Sequence, residues 1–291
     1  MGNVNLKTDS KLPWWKLVIG ILVALLIMVA AQLFSQFAAI PADLLKLPVV
    51  VAIVCQAVAY VVLAFLGQKL LIEKFFKIPI DSIRIKKPGI KMICIITAVL
   101  LPAIVIAIYM MMPGEWTTLT LSNGEKIRIV VGALIFQSIA AGIVEELTFR
   151  GVIFGLLEKK TNTVAAAVIP SVIFGMIHFS KGMSLVSFIQ LVIAGTFVGV
   201  MFSSICAYTD NFWNNALVHA CWNATTFGIM HIDTAPSGEA LYTYVLKTKS
   251  MLITGGDFGI ESSIIAIMAY AVVIVVYVLF IRKKKRDVAK N

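Results

Sequence analysis

The stretch Ala141 to Gly155, AGIVEELTFRGVIFG, sets Glu145, Glu146 and Arg150 inside an otherwise oily run. A charge at the centre of a bilayer costs at least about 2.5–3.5 kcal/mol on insertion scales, so each group needs a partner or a purpose. Glu146 and Arg150 stand at i and i+4, on one face of a helix, where they can neutralise each other. Glu145 points about 140° away from Arg150 on the same geometry. One carboxylate is thus tied to structure and the other is left over. A buried carboxylate with no cation beside it becomes a better base. The plainer alternative is that both glutamates pair with Arg150 or with a distant histidine.

Only three histidines occur in 291 residues. His178 closes the run SVIFGMIHFS, His219 lies in NNALVHACWNAT, and His231 follows at the edge of that run. His219 and Asn223 are i and i+4, so an imidazole and an amide share one helix face and can donate toward one point. Phe174 and His178 share a face in the same way, which suits a ring packed beside the imidazole. A glutamate with a histidine polarises water, and a histidine with an asparagine stabilises an oxyanion. That set spells water-activated amide hydrolysis without a covalent intermediate. GMSL and TLSN read as loops rather than serine nucleophile elbows, and Cys221, two residues from His219, points elsewhere. Glu with two His is also a hydrolytic zinc set, usually delivered by HExxH or a similarly short spacing. Here the candidates come singly from three helices, which leaves open a zinc site assembled in space.

These residues need a membrane-embedded scaffold. The chain is 60% hydrophobic and 14% charged, with mean hydropathy +0.95, against about 25% charged residues in an ordinary globular domain. Eight apolar runs are expected to span the bilayer. They are Trp14–Ile40, Leu47–Ile72, Lys91–Met112, Ile129–Leu157, Thr163–Phe179, Ser184–Ala207, Phe212–Met230 and Ile260–Ile281. The fold class is all-α, a polytopic helical bundle forming one integral membrane domain over residues 1–291. The first run exceeds the 7–15 apolar residues of a signal peptide core and is expected to be retained. Trp14, Trp15 and Trp116 fall near run ends, where amphipathic rings favour the interface. With the N-terminus cytoplasmic, 18 basic residues, Lys7 and Lys11 among them, fall on the inner side and six on the outer. That asymmetry puts both termini in the cytoplasm, and it accounts for the net charge of +10 without a nucleic-acid partner. Cys55, Cys94, Cys206 and Cys221 show no CxxC spacing, so no disulfide framework or thiolate metal site is indicated.

At its polar residues the chain resembles the CPBP family, the CAAX protease and bacteriocin-processing (Abi) glutamate or metalloprotease-like enzymes. The EExxxR hallmark matches Glu145 to Arg150 and continues into FRG, Phe149 to Gly151. FxxxH matches Phe174 to His178, and HxxxN matches His219 to Asn223. Three motifs in order define a core over roughly residues 129–230. The resemblance implies a helical bundle with a cavity open to the cytosol, and an intramembrane endopeptidase acting on a membrane-associated protein or peptide. It implies that Glu145 with His178 activates water, that His219 and Asn223 form the oxyanion hole, and that no cofactor is bound. Glu146, Arg150 and Phe174 then support the site. Substrates in that family range from prenylated CAAX proteins to bacteriocin and pheromone precursors. Short loops and a Lys-rich tail fit a bacterial cell membrane, and Leu6 breaks the myristoylation pattern.

Two other classes compete. A self-immunity or scaffold protein would keep these residues for packing, and a transporter would use Glu145 and His178 as a proton relay. A transporter should show matched halves with Gly/Pro-broken helices, and none is evident. One difficulty concerns depth. Glu145 lies about 20 Å along its helix from Lys159 and Lys160, whereas His178 falls near the far end of its run. Bringing them together requires tilted or offset helices, or a fifth run that starts deep.

Overall fold

Apolar runs this long leave the backbone no partner but itself, so the chain folds as helices. The computed structural model describes residues 12–238 and 240–290. Lys7, Lys11 and the Leu6 position lie outside them. Eight principal helices follow in chain order. They are α1 (Trp14–Leu44), α2 (Val49–Phe76), α3 (Met92–Met110), α4 (Asn123–Lys160), α5 (Thr163–Ile177), α6 (Leu185–Thr209), α7 (Trp213–Thr226) and α8 (Ile264–Lys290). Each expected run holds one of them. Six are long and apolar enough to cross a membrane, and the protein is a multi-pass membrane bundle.

Side-chain caps fix several starts. Ser122 and Glu125 form a reciprocal capping box before α4, Asn162 accepts from the Val164 and Ala165 amides before α5, and Ser184 accepts from Ser187 before α6. A three-stranded sheet, unforeseen from the sequence, joins the helix ends at α3–α4 and α7–α8. Its strands are β1 (Gly114–Thr118), β2 (Gly228–Asp233) and β3 (Ala240–Leu246), in the order β1-β3-β2. β1 runs antiparallel to β3 and β2 parallel to it. The seventh run therefore ends early. α7 stops at Thr226, and Gly228, at φ 85°, turns the chain into β2.

The fifth run also needs correction. α5 has 15 residues and α7 has 14, so each is about 21–23 Å long and short of a hydrocarbon core about 30 Å thick. Both rise from the end of the bundle that carries Lys159 and Lys160. α5 reaches His178 after the same number of residues that α4 takes from Lys160 back to Glu145, and the two side chains meet in depth. No tilt or deep start is required.

Candidate active site

α4 carries the acidic pair on one ordinary α-helical turn, Ala141–Glu146, between two stretches of wider i→i+5 turns, Gly132–Ala140 and Leu147–Ile153. Such widened turns recur at functional sites because they re-aim side chains. The next requirement is close approach of α7. A β-carbon on Gly142 would lie 3.2 Å from the Ala220 amide nitrogen, so only a glycine lets the α4 and α7 backbones approach this closely. Gly175 and Gly195 perform the same task where α5 crosses α6, one residue from Phe174.

Across the α4–α7 contact lies a buried polar cluster. Glu146 is fully buried and Arg150 is 1% exposed. Arg150 Nη1 donates to Glu146 Oε1 at 2.9 Å, the i,i+4 pair expected from spacing. His219 Nδ1 lies 3.0 Å from the same oxygen, and Asn215 Nδ2 donates to Oε2 at 3.4 Å. The guanidinium also sits 4.9 Å from the Phe174 ring and 5.0 Å from that of Phe202, whose face stacks on His219. Glu146 thus serves three partners, which satisfies a carboxylate that burial would otherwise penalise heavily. The link to His219 was invisible in the sequence, because it depends on how closely α4 meets α7.

Glu145 turns the other way. It lines a cavity of about 310 Å³ together with His178, His219 and Asn223. Its Oε2 lies 3.8 Å from His219 Nε2 and has no hydrogen-bond partner among the described residues. His178 Nδ1 is 2.7 Å from the Phe174 carbonyl oxygen. A carbonyl can only accept, so Nδ1 carries the hydrogen and Nε2 is the nitrogen turned away from that bond. The Phe174 ring lies 4.5 Å from that of His178. Asn223 donates one amide N–H to the Gln137 carbonyl at 2.9 Å, which leaves the second free. The three motifs therefore converge on one space. Among the described residues no three His, Cys, Asp or Glu side chains form a metal-ligand group.

Glu261 was missed. It lies just before α8, lines the same cavity and accepts from Thr226 Oγ1 at 2.9 Å. Its signal was an acid at the start of the last apolar run. His231 stands outside the convergence, on β2, with Nε2 3.6 Å from Asp233 Oδ2.

Residues 127–225 match the family model for type II CAAX prenyl endopeptidases, Rce1-like. By sequence this segment is similar to that family. It contains Glu145, Glu146, Arg150, Phe174, His178, His219 and Asn223, so the CAAX-protease resemblance is borne out where the motifs lie. The chain is also 32% identical over 134 residues to the Bacillus subtilis (strain 168) protein "Putative membrane peptidase YdiL", covering 46% of this chain and 50% of that one. The chain thus spans about half the length of the curated relative it matches. Glu261 lies beyond the Rce1-like segment and reaches the cavity only through the fold.

Proposed function

We propose that the protein is an intramembrane endopeptidase that hydrolyses a peptide bond of a membrane-associated protein or peptide. The observation that carries this reading is the division of labour on α4. Glu146 is consumed by Arg150, His219 and Asn215, while Glu145 faces a cavity shared with His178, His219 and Asn223.

Glu145 accepts a proton from a water held against His178 Nε2, and the water oxygen bonds to the scissile carbonyl carbon. Negative charge then gathers on the carbonyl oxygen. His219, protonated on both nitrogens, donates from Nε2, and Asn223 donates its free N–H. The C–N bond breaks as the proton held by Glu145 passes to the leaving nitrogen, giving a carboxylic acid and an amine, and the acid's proton then passes to that amine to leave a carboxylate and an ammonium. Glu146 takes no part in proton transfer; by accepting from His219 Nδ1 it fixes the ring so that Nε2 faces the cavity. The aromatic lining from Tyr60, Phe136, Trp222 and Phe258 suits an apolar substrate segment. The substrate class is a prenylated CAAX-type chain or a bacteriocin or pheromone precursor. Both termini lie in the cytoplasm of a bacterial cell.

The test compares membrane-peptide profiles of cells carrying wild type and Glu145→Gln at equal membrane levels. Cleavage products present only with wild type are expected. Identical profiles, together with no cleavage of CAAX or leader peptides by the purified protein, would favour a self-immunity or scaffold role. A metal-free mechanism predicts activity that survives exhaustive chelation. One zinc per chain, lost together with activity, would instead make Glu145, His178 and His219 ligands.

A further inference from the structure

A second groove opens at the lysine-rich end of the bundle, where α3 begins and α6 and α8 end. It offers about 500 Å³ and is lined by Lys91, Tyr208, Phe280, Lys283, Lys284 and Asp287. Three ammonium groups face one carboxylate. Lys91 is half-buried, with Nζ 4.5 Å from the centre of the Tyr208 ring and 3.4 Å from the Tyr208 carbonyl oxygen. Burial, and then the charge of Lys284, hold its ammonium below the usual lysine range. Three ammonium groups thus line the groove with one carboxylate among them, and Asp210, whose charge also reaches Lys91, is paired with Arg84 and Lys86.

The backbone adds to this. α3 starts at Met92, directly after Lys91, with no acid in its first turn and no side-chain cap. A 19-residue helix presents its free N–H groups and positive pole at that end. Away from the groove the same helices turn apolar and outward. Met92, Ile95 and Ile96 on α3 and Leu279 on α8 are all exposed. A cationic pocket with aromatic walls that runs on into a hydrocarbon-facing seam suits an amphiphile with an anionic head.

We propose that this groove is a binding site for an anionic phospholipid. The phosphate sits among Lys91, Lys283, Lys284 and the start of α3. The glycerol region rests on Tyr208 and Phe280, and the acyl chains follow the apolar seam of α3 and α8. Soluble phosphate would meet the same ammonium groups but leave the seam uncovered. Arg282, Lys285, Arg286 and Lys290 belong to the same tail and do not line the groove. They attract an anionic surface only diffusely.

The difference between a built site and diffuse attraction is measurable by native mass spectrometry of the full-length protein released from mixed phosphatidylglycerol and phosphatidylcholine vesicles. Wild type should retain phosphatidylglycerol in preference to phosphatidylcholine. Lys91→Gln with Lys284→Gln should lower the retained phosphatidylglycerol about tenfold, while Arg282→Gln with Lys285→Gln changes it by less than about twofold. Lys91→Arg, which keeps the charge, should retain it, and it separates loss of the site from loss of folding. Equal losses in both glutamine pairs would overturn the proposal in favour of diffuse surface charge. Equal retention of the two lipids would overturn it as well. Full displacement of lipid by millimolar inorganic phosphate would reassign the groove to a soluble anion.

Discussion

The bundle holds two buried arginines, and their surroundings differ in one respect. At the lysine-rich end Arg84 is paired with Glu158 through Nη2 and with Asp210 through Nη1, the latter at 3.0 Å. Lys86 also reaches Asp210, and Thr163 Oγ1 donates to Glu158 at 2.8 Å. Every carboxylate there is occupied. Around Arg150 one carboxylate is equally occupied, but its neighbour in sequence faces a cavity with no hydrogen bond to its Oε2. A network whose carboxylates are all occupied holds helices together. A network with one acid to spare can also move a proton.

The comparison is sharpest at that spare acid. Glu145→Gln keeps size and hydrogen bonding but cannot accept a proton from water, so cleavage should fall about 10²–10⁴-fold with an unchanged melting temperature. Near-normal cleavage by this variant would break the contrast, since Glu145 would then be as structural as Glu158. Next come the oxyanion donors. Asn223→Ala should cost about 10²–10³ in kcat while the protein stays folded; a rise in KM alone would reduce Asn223 to a binding contact.

The two arginine–carboxylate pairs should then behave alike in stability and unlike in activity. Breaking a buried pair from one side costs about 3–5 kcal/mol, so Glu146→Gln and Glu158→Gln should both lower the melting temperature and the folded yield. Per folded molecule, Glu158→Gln should cleave normally. Glu146→Gln should be impaired, because His219 loses the acceptor that orients it. Arg150→Ala combined with Glu146→Ala should be milder than the sum of the single changes. Strict additivity would mean that the two groups do not act as a pair.

The smallest effect belongs to His231 and Asp233 on β2. Their pairing raises the His231 pKa and lowers that of Asp233. The histidine's share of stability is full below about pH 6.5 and lost as pH rises through its raised value. The aspartate's share is full above about pH 4 and lost as pH falls through its lowered value. Asp233→Asn should therefore reduce the melting temperature most between about pH 4 and 6.5. The expected cost is at most about 1 kcal/mol for so exposed a pair. A pH-independent difference would remove the ion pair as its cause.

What the sequence made legible was whatever depends on local geometry. Eight apolar runs became eight helices because a backbone in hydrocarbon has few other solutions. The i,i+4 rule paired Glu146 with Arg150 and released Glu145, despite the widened turns on either side. What stayed hidden depends on contacts distant in sequence. The His219–Glu146 bond needs Gly142 against Ala220, and the parallel pairing of β2 with β3 lies in segments such as GIMHID that read as connections. Glu261 shares a cavity with His178 and His219 only because the turn before α8 folds over it. The depth of His178 was misjudged for a simpler reason: a run whose helix is about 23 Å long was taken to cross the whole bilayer.

That shortness has an electrical consequence. A helix ending at the surface spends its terminal field on water, but α5 and α7 run in the same direction and both end beside the cavity, where His178, Asn223 and Phe227 line it. Each presents a carbonyl end worth roughly half a negative charge. Those two ends add negative potential to the chamber beside that of Glu145 and Glu261, and offset part of the positive charge on a protonated His219. On the proposed activity, a peptide with lysine or arginine flanking the scissile bond is expected to be cleaved faster than one with aspartate or glutamate there, and equal rates would remove the two helix ends as a source of selectivity.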